Sequence, residues 1–194
     1  MITKESESLL IRRIVSGEKE EFRVLVGEYK DRIFAMVMRQ TGNRTLAEEI
    51  TQESFVKAYI NLKKFRFDSQ FGTWLTRIAL NETNNYFASK RFKETKNSES
   101  YSNEIHEKQL GHSEDEDQRA ELEKRERSLV EFRKALATLK PKFRDVITLC
   151  SLEGRSYEEA ASVLSIPIGT VRSRLNKARL LLKDAIISVE LVES

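Results

Sequence analysis

Residues 156–183 carry side chains whose types and spacing could read DNA, in the sequence SYEEAASVLSIPIGTVRSRLNKARLLLK. Ser156 and Glu159 form the S-x-x-E pattern, in which a hydroxyl and a carboxylate satisfy free N–H groups at a helix start. Pro167 lacks an N–H and fixes a φ suited to a first helical turn, so it predicts a break and a second helix from about Thr170. Two helices joined in this way form a helix-turn-helix.

The second helix has one apolar stripe and one basic face. At 3.6 residues per turn, the stripe that must be buried consists of Val171, Leu175, Ala178 and Leu182. The stretch 168–183 holds five basic residues and no acidic one. The side chains available for base edges and phosphates are Arg172, Ser173, Asn176, Lys177 and Arg179. A solvated basic face on a core helix is the alternative, but the paired helix, the capping box and the proline turn together favour DNA.

The composition of the whole chain predicts an all-α fold. Only seven glycines and two prolines interrupt 194 residues, so long helices should dominate. The net charge is +5 over residues 1–93, −6 over 94–126 and +4 over 127–194. Because the acidic block is poor in large apolar residues, we expect two small helical domains, 1–93 and 127–194, joined by a flexible acidic linker that becomes helical towards 120–127. A DNA-mimicking shield is the alternative interpretation of this charge run.

Several function classes are disfavoured by the sequence. No phosphate-binding glycine loop, acid pair, or nucleophile with its base stands out, so we expect neither an enzyme nor a small-molecule substrate or cofactor. Cys150 lies in an apolar run and is interpreted as a buried hydrophobe. His106 and His112 lie in the acidic block without further ligands, so we expect no metal. Without a signal peptide or an 18-residue apolar run, a cytoplasmic protein that does not insert into membranes is expected.

The N-terminal half contains a predicted pair of amphipathic helices. One covers 22–38, and the other opens at a second capping box formed by Thr45 and Glu48. The two helices should pack as part of a small bundle. The exposed face of the second helix includes Glu49, Gln52, Glu53 and Lys57. Such a polar face is usually only solvated.

An aromatic and basic cluster follows over residues 63–92. Cations that alternate with rings suit single-stranded nucleic acid, because rings stack on exposed bases and cations hold the backbone. Periodicity on a helix from about Gly72 predicts inward side chains at Phe71, Trp74, Leu75, Ile78, Ala79 and Tyr86. It predicts outward side chains at Arg77, Leu80, Asn81 and Asn84. The loop 66–70 with Asn81 is the better candidate for contact with bases.

Three segments resemble the extracytoplasmic-function (ECF) group of bacterial sigma factors. LAEEITQESFVKAYINLKKF resembles the helix that docks on the largest polymerase subunit, and FRFDSQFGTWLTRIALN resembles the promoter-melting and −10 segment. SYEEAASVLSIPIGTVRSRLNKAR resembles the −35 helix-turn-helix, and LATLKPKFRDVITLCSLEG resembles the approach to it. Their order and spacing cover nearly everything outside the first twenty residues and the linker.

The resemblance implies an alternative sigma factor that guides core RNA polymerase to promoters and helps to open them. Residues 1–93 would form the region 2-like domain, and 127–194 the region 4-like domain. Polymerase contacts, with its largest and second-largest subunits, would involve Glu49, Gln52, Glu53 and Lys57. Contacts to the melted −10 element would involve Phe67, Asp68, Ser69, Gln70, Arg77, Asn81 and Asn84. The −35 element would be read by Arg172, Ser173, Asn176, Lys177 and Arg179.

The resemblance also implies a dedicated anti-sigma protein, often membrane-anchored, that holds both domains in an inactive arrangement. One departure from the family pattern is Asn85, where many members carry an aspartate. It leaves the preferred −10 sequence open, as the long linker leaves the spacing between the domains open. Two other functions remain as alternatives: a free-standing helix-turn-helix regulator with a sensing or dimerising N-terminal half, and a helical adaptor with an incidental basic helix.

Overall fold

A computed structural model describes residues 3–96 and 116–193. Within these ranges the helices are α1 (Lys4–Ser16), α2 (Phe22–Thr41), α3 (Arg44–Asn61), α4 (Phe71–Lys96), α5 (Glu116–Thr138), α6 (Pro141–Ile147), α7 (Tyr157–Leu164) and α8 (Ile168–Glu193). Short 3-10 turns cover Lys19–Glu21 and Leu62–Lys64, and a π-helical turn covers Thr148–Leu152. The described residues contain no strand, which confirms the predicted fold class.

The N-terminal half is a bundle in which α3 packs against both α2 and α4. Side chains spaced three or four residues apart on each helix close its core. Those that are almost completely buried include Leu25, Ile33, Val37, Ala47, Ala58, Phe71, Leu75 and Ala79. The predicted helix pair of 22–38 and its successor is therefore present, with α2 continuing to Thr41.

The capping box predicted at Thr45 and Glu48 is wrong. α3 is capped earlier by Asn43, whose side chain accepts a hydrogen bond from the Leu46 N–H at 2.9 Å. Gly42 adopts the left-handed conformation, φ 66°, and ends α2 directly before that cap. The turn between the two helices is thus too short to leave Thr45 outside α3.

Leu80 is a second correction, because this side chain was predicted to point outward and is 2% exposed. The helical wheel assumed one buried stripe on α4. In the structure α4 packs against α2 and α3 of its own half and against α7 of the C-terminal half. A helix covered on two sides buries residues that a single stripe leaves out.

The C-terminal half contains the predicted helix-turn-helix in α7 and α8. The Ser156 hydroxyl accepts from the Glu159 N–H at 3.1 Å, and the Glu159 carboxylate accepts from the Ser156 N–H at 2.8 Å, which confirms this capping box. α8 begins two residues earlier than predicted, at Ile168. Its buried stripe is confirmed: Val171, Leu175 and Ala178 are completely buried, and Leu182 is half-buried.

The acidic block is only partly described. α4 continues to Lys96 and α5 begins at Glu116, so the stretch expected to become helical lies within α5. His106, His112 and the middle of the predicted linker lie outside the described residues. The division of the chain at 93 and 127 stays a prediction, since both positions fall inside helices. None of the described helices combines the length and the apolarity needed to cross a membrane.

Candidate nucleic-acid interface

The basic face of α8 is open to solvent. We call it the α8 ridge; its members, all exposed, are Arg172, Ser173, Asn176, Lys177 and Arg179. Arg174, also on α8, is half-buried and lies close enough to Asp145 to influence its charge, so this arginine faces the protein. The ridge therefore offers cations and short polar groups on a helix whose opposite side is locked in the core.

The loop before α4 has an unusual backbone. Phe67 adopts φ 60°, in the left-handed region that side chains other than glycine rarely occupy. Its ring remains 36% exposed and packs on the buried Phe65 ring, with 4.9 Å between centroids. Asp68 and Gln70 are exposed and Ser69 is half-buried. The predicted base-contacting loop, which we call the α3–α4 loop (66–70), is thus accessible, and the Phe67 ring ties its start to the core.

A cleft of about 300 Å³ lies between α3 and α4 beside Asn81. Its lining consists of Lys57, Asn61, Lys64, Trp74, Ile78, Asn81 and Glu82. Trp74 packs on Phe65 and Phe71 but is only half-buried, so its ring belongs both to the core and to the cleft wall. Asn61 was expected only on the exposed polar face of the helix after Thr45; it is half-buried and lines the cleft, a contact across two helices that leaves no local pattern in the sequence.

Arg77 and Asn84, also predicted to bind the melted strand, face the C-terminal half instead of the cleft. The Arg77 guanidinium donates to the Val163 carbonyl at 2.6 Å, the Ser162 carbonyl at 2.9 Å and the Ser165 hydroxyl at 2.5 Å. These three acceptors lie at the C-terminal end of α7, where helix carbonyls lack partners within the helix. The Arg77 guanidinium is therefore held at the end of α7 and does not line the cleft, although Asn81 lies one helical turn away on α4.

Asn84 is held by two charged residues of α6. Its amide donates to the Asp145 carboxylate at 2.9 Å and its carbonyl accepts from Arg144 at 2.9 Å. Burial raises the pKa of Asp145 to about 6, against the lowering effects of the Asn84 hydrogen bond and of nearby Arg144 and Arg174. This carboxylate is therefore tied to the contact between the two halves.

Arg144 is the main residue of this interface that sequence reasoning missed. It is 1% exposed and donates to the carbonyl oxygens of Leu136, Ala137 and Leu139. Its guanidinium also lies 4.3 Å from the Phe87 ring centroid, a cation–π distance. The available signal was its position three residues before Ile147, in phase with the buried side of α6.

Further polar contacts join the halves, beside apolar packing that places residues of both halves in one hydrophobic core. Arg39 pairs with Glu153 at 2.5 Å, and Arg155 donates to the Thr76 hydroxyl at 3.1 Å. Burial lowers the pKa of Arg155. Among the described residues, the buried polar atoms without a hydrogen-bond partner are both amide atoms of Gln40, Thr148 Oγ1 and Arg155 Nε. Each such atom costs about 1–3 kcal/mol, which lowers the net stability of the folded chain.

The exposed face of α3 combines acidic and apolar groups. Glu49, Gln52 and Glu53 are exposed, as predicted. Val56 and Ile60, which the sequence reasoning did not name, extend the same face and are 51% and 68% exposed. Lys57 instead pairs with Glu53 at 3.4 Å and with Glu82 of α4, beside the cleft.

Side chains that could bind a metal ion are scattered within the described ranges. No three His, Cys, Asp or Glu side chains come together there in a way that could hold an ion. Cys150 is half-buried in the π-helical turn and packs against the core, and burial raises the pKa of its thiol.

Two family models match the chain. Residues 25–93 match "Sigma-70 region 2" and residues 129–182 match "Sigma-70, region 4". RNA polymerase sigma-H factor of Pseudomonas aeruginosa is 31% identical over 92% of this chain and 93% of its own length. ECF RNA polymerase sigma-E factor of Haemophilus influenzae is 32% identical over 93% and 95%, and that of Escherichia coli K12 is 33% identical over 90% and 91%.

Solved structures of similar fold agree with these matches. CnrH, in complex with the cytosolic domain of CnrY, is 25% identical with a TM-score of 0.61, over 94% of this chain and 97% of that one. The sigma factor RpoE from Bartonella quintana, in complex with the anti-sigma factor NepR, is 25% identical with a TM-score of 0.57, over 86% and 97%. Both similarities span the two halves of the chain.

Proposed function

Because this chain belongs to the ECF group of RNA polymerase sigma factors and directs promoter-specific transcription initiation, we propose how its surfaces divide that task. The α8 ridge reads the −35 element, the α3–α4 loop with Asn81 captures the melted −10 element, and α3 docks on the polymerase. Membership in this group sets aside the free-standing regulator and the helical adaptor. Core RNA polymerase and promoter DNA are the partners that the family implies.

The observation that carries the proposal is the α8 ridge itself. Every member is exposed, while Val171, Leu175 and Ala178 hold the other side of the helix completely buried. Arginine and asparagine can each make paired hydrogen bonds to a base edge, and lysine suits phosphate contacts. A rigid helix with this face can enter a major groove without rearrangement.

The cleft beside Asn81 supports capture of an extruded base. Trp74 offers part of an aromatic ring and Asn81 offers an amide donor and acceptor. Asn61 donates to the Lys57 carbonyl at 2.9 Å and accepts from Lys64 at 3.1 Å, so it positions the Lys64 ammonium, whose remaining protons can hold a backbone phosphate. Flipping a base out of the duplex costs a few kcal/mol, so the receiving site must return a similar amount. Preformed walls serve this purpose, because little further ordering is needed on binding.

Docking on the largest polymerase subunit is assigned to Glu49, Gln52 and Glu53, with the apolar Val56 and Ile60 beside them. An exposed apolar pair next to acidic groups is typical of an interaction surface. Lys57 takes part indirectly in this assignment, because its ammonium holds Glu53 on one side and Glu82 on the other.

An anti-sigma partner is the remaining part of the proposal. CnrH and RpoE are each solved in complex with a second protein, NepR being named as an anti-sigma factor. In this chain, Arg77 and Asn84 are engaged by the C-terminal half, so strand binding by these two residues requires the halves to separate. A partner that stabilises the closed arrangement would keep both side chains away from DNA.

The proposal is tested by transcription from a randomised promoter library with purified core RNA polymerase and this chain. We expect recovered promoters to share two elements at a fixed separation. If the chain binds core polymerase but the recovered promoters share no upstream element, the assignment of the α8 ridge is wrong. Failure of the chain to bind core polymerase would remove the α3 assignment.

A further inference from the structure

α1 places a buried carboxylate inside the N-terminal half. Glu7 is only 5% exposed, and burial of a charged group is costly unless it is hydrogen-bonded. One carboxylate oxygen of Glu7 accepts from the backbone N–H of Phe71 at 2.9 Å, and the other accepts from the Tyr29 hydroxyl. Glu7 thereby joins α1 to a residue 64 positions further along the chain.

Phe71 is the first residue of α4, so its N–H has no partner within that helix. A carboxylate at this end is also favoured by the helix dipole. Glu7 therefore caps α4 from a different helix.

Tyr29, the second donor to Glu7, packs closely against the start of α4. Its ring lies against Gly72, where an added Cβ would be 2.6 Å from Cε1 of the ring. Burial and the Glu7 hydrogen bond raise the pKa of Tyr29, so its hydroxyl keeps the donated proton.

α1 also contacts the α3–α4 loop itself, near the start of the loop. The Arg12 guanidinium lies 5.3 Å from the ring centroid of Phe67, a cation–π distance. Phe67 is the residue with the left-handed φ of 60°, a conformation that persists only when its surroundings hold it. Arg12 and Glu7 thus hold the loop on both sides of its exposed tip.

We propose that α1 is the support of the α3–α4 loop, with Glu7 as the positioning residue that fixes where the loop enters α4. The Arg12 guanidinium fixes the position of Phe67 through the cation–π contact with its ring. α1 therefore sets how accurately the loop discriminates between unpaired bases, although it touches no DNA. This inference rests on the proposed function of the loop. It concerns a helix that lies outside the matched region 25–93.

The test uses holoenzyme assembled from core RNA polymerase and the full chain. The probes are a promoter duplex recovered from the library with the wild-type chain, and the same duplex with its most strongly selected −10 base replaced. The measured quantity is the ratio of open-complex formation on the two duplexes. For Glu7→Ala, which removes both hydrogen bonds, we expect this ratio to fall about tenfold, the effect of losing the bond from the Phe71 N–H to a charged group.

Two milder variants and one control sharpen the measurement. Glu7→Gln keeps an acceptor for the Phe71 N–H and should retain most of the discrimination. Tyr29→Phe removes only the hydroxyl, and we expect a reduction of about threefold. Glu5→Gln changes an exposed carboxylate on the same helix and should have no effect. Polymerase association and binding of a −35 duplex should be unchanged in all four variants.

The outcomes separate this inference from the function on which it rests. If Glu7→Ala slows opening of both duplexes by the same factor, Glu7 only stabilises the fold and the inference fails. If that variant does not fold, an unchanged ratio in Tyr29→Phe and in Arg12→Ala overturns it equally. If the wild-type holoenzyme opens neither duplex, the failure lies in the proposed function of the chain.

Discussion

The α8 ridge and the strand-facing side of α4 are both proposed to bind DNA, but they differ in their freedom. All five side chains of the ridge are exposed. On α4, Asn81 is exposed, whereas Arg77 and Asn84 are hydrogen-bonded to the C-terminal half. Duplex reading thus requires no change within the protein, while full strand capture requires the halves to part. The contact between the two halves therefore limits strand capture but not duplex reading.

The largest expected effect concerns the α8 ridge. Replacing Arg172 and Lys177 together by alanine should reduce binding of the holoenzyme to a −35 duplex about 100-fold, since each good base or phosphate contact is worth about 1–3 kcal/mol. Asp184→Asn, on the exposed side of the same helix, serves as the control. Fluorescence anisotropy measures the affinity, and co-purification verifies that core association is intact. Equal affinities for the wild-type and the double variant would contradict the assigned face.

The contact between α4 and the C-terminal half, where Asn84 donates to Asp145, should depend on pH. We expect no such dependence for the α8 ridge. The pKa of Asp145 is about 6 in the folded chain, above its ordinary value of 3.8. The folded state therefore binds a proton more tightly than the unfolded state, so this group stabilises the fold at low pH and its contribution is lost as pH rises through about 6. Asp145→Asn, which keeps an acceptor for Asn84, should remove this dependence.

Urea unfolding at pH 4.5 and pH 7.5 measures the difference. We expect the gain in free energy of unfolding from Asp145→Asn to be about 2 kcal/mol larger at pH 7.5 than at pH 4.5. The subtraction of wild-type from variant removes the titration of the other carboxylates. A variant whose gain is the same at both pH values would show that Asp145 is ionised throughout.

Docking by the exposed face of α3 should be independent of the α8 ridge and of the contact between the two halves. Glu53→Lys is expected to weaken association with core polymerase about tenfold or more, because it reverses the charge of a proposed contact and repels Lys57. Glu158→Lys changes an exposed acid on α7 and is the matched control. Unchanged co-purification of Glu53→Lys would remove this docking surface, whereas weaker binding to the −35 duplex alone would place the effect elsewhere.

The smallest expected effect tests the hydrogen bonds between Arg77 and the end of α7. Ser165 has φ 52° and its hydroxyl accepts from Arg77, so Ser165→Gly keeps the left-handed backbone and deletes one hydrogen bond. We expect the free chain to bind a single-stranded −10 oligonucleotide about threefold more tightly. Ser162→Gly leaves its backbone carbonyl in place and provides a comparison. Identical affinities for Ser165→Gly and wild type would mean that Arg77 does not limit strand binding.

Local patterns in the sequence were sufficient where a short segment decides its own structure. The capping box of Ser156 and Glu159, the turn at Pro167 and the buried stripe of α8 all depend on neighbours within a few residues. The failure at Thr45 has the same origin, because two candidate caps stood close together and the left-handed Gly42 favoured Asn43.

Long-range contacts could not be predicted in this way. Leu80 is buried because a second helix layer covers α4, and Arg77 and Asn84 are engaged by residues 60 to 88 positions away. Glu7 looked like an ordinary acid in the first turn of α1, and only the fold brings it to Phe71. Helical periodicity specifies which side of a helix is polar, but not which distant element will cover that side.

The acceptors that hold Arg77 resemble a nucleic-acid backbone in their chemistry. Two carbonyl oxygens and a hydroxyl at the negative end of α7 surround the guanidinium much as phosphodiester oxygens would. Exchange of these neutral oxygens for the anionic oxygens of a strand leaves the arginine similarly coordinated. Because binding a phosphate releases condensed counterions, whereas leaving neutral acceptors takes none back, the exchange should become less favourable as salt is added. Only one phosphate contact is involved at Arg77, so this weakening should be shallower than that of the attachment of α8 to duplex DNA, which uses several cations.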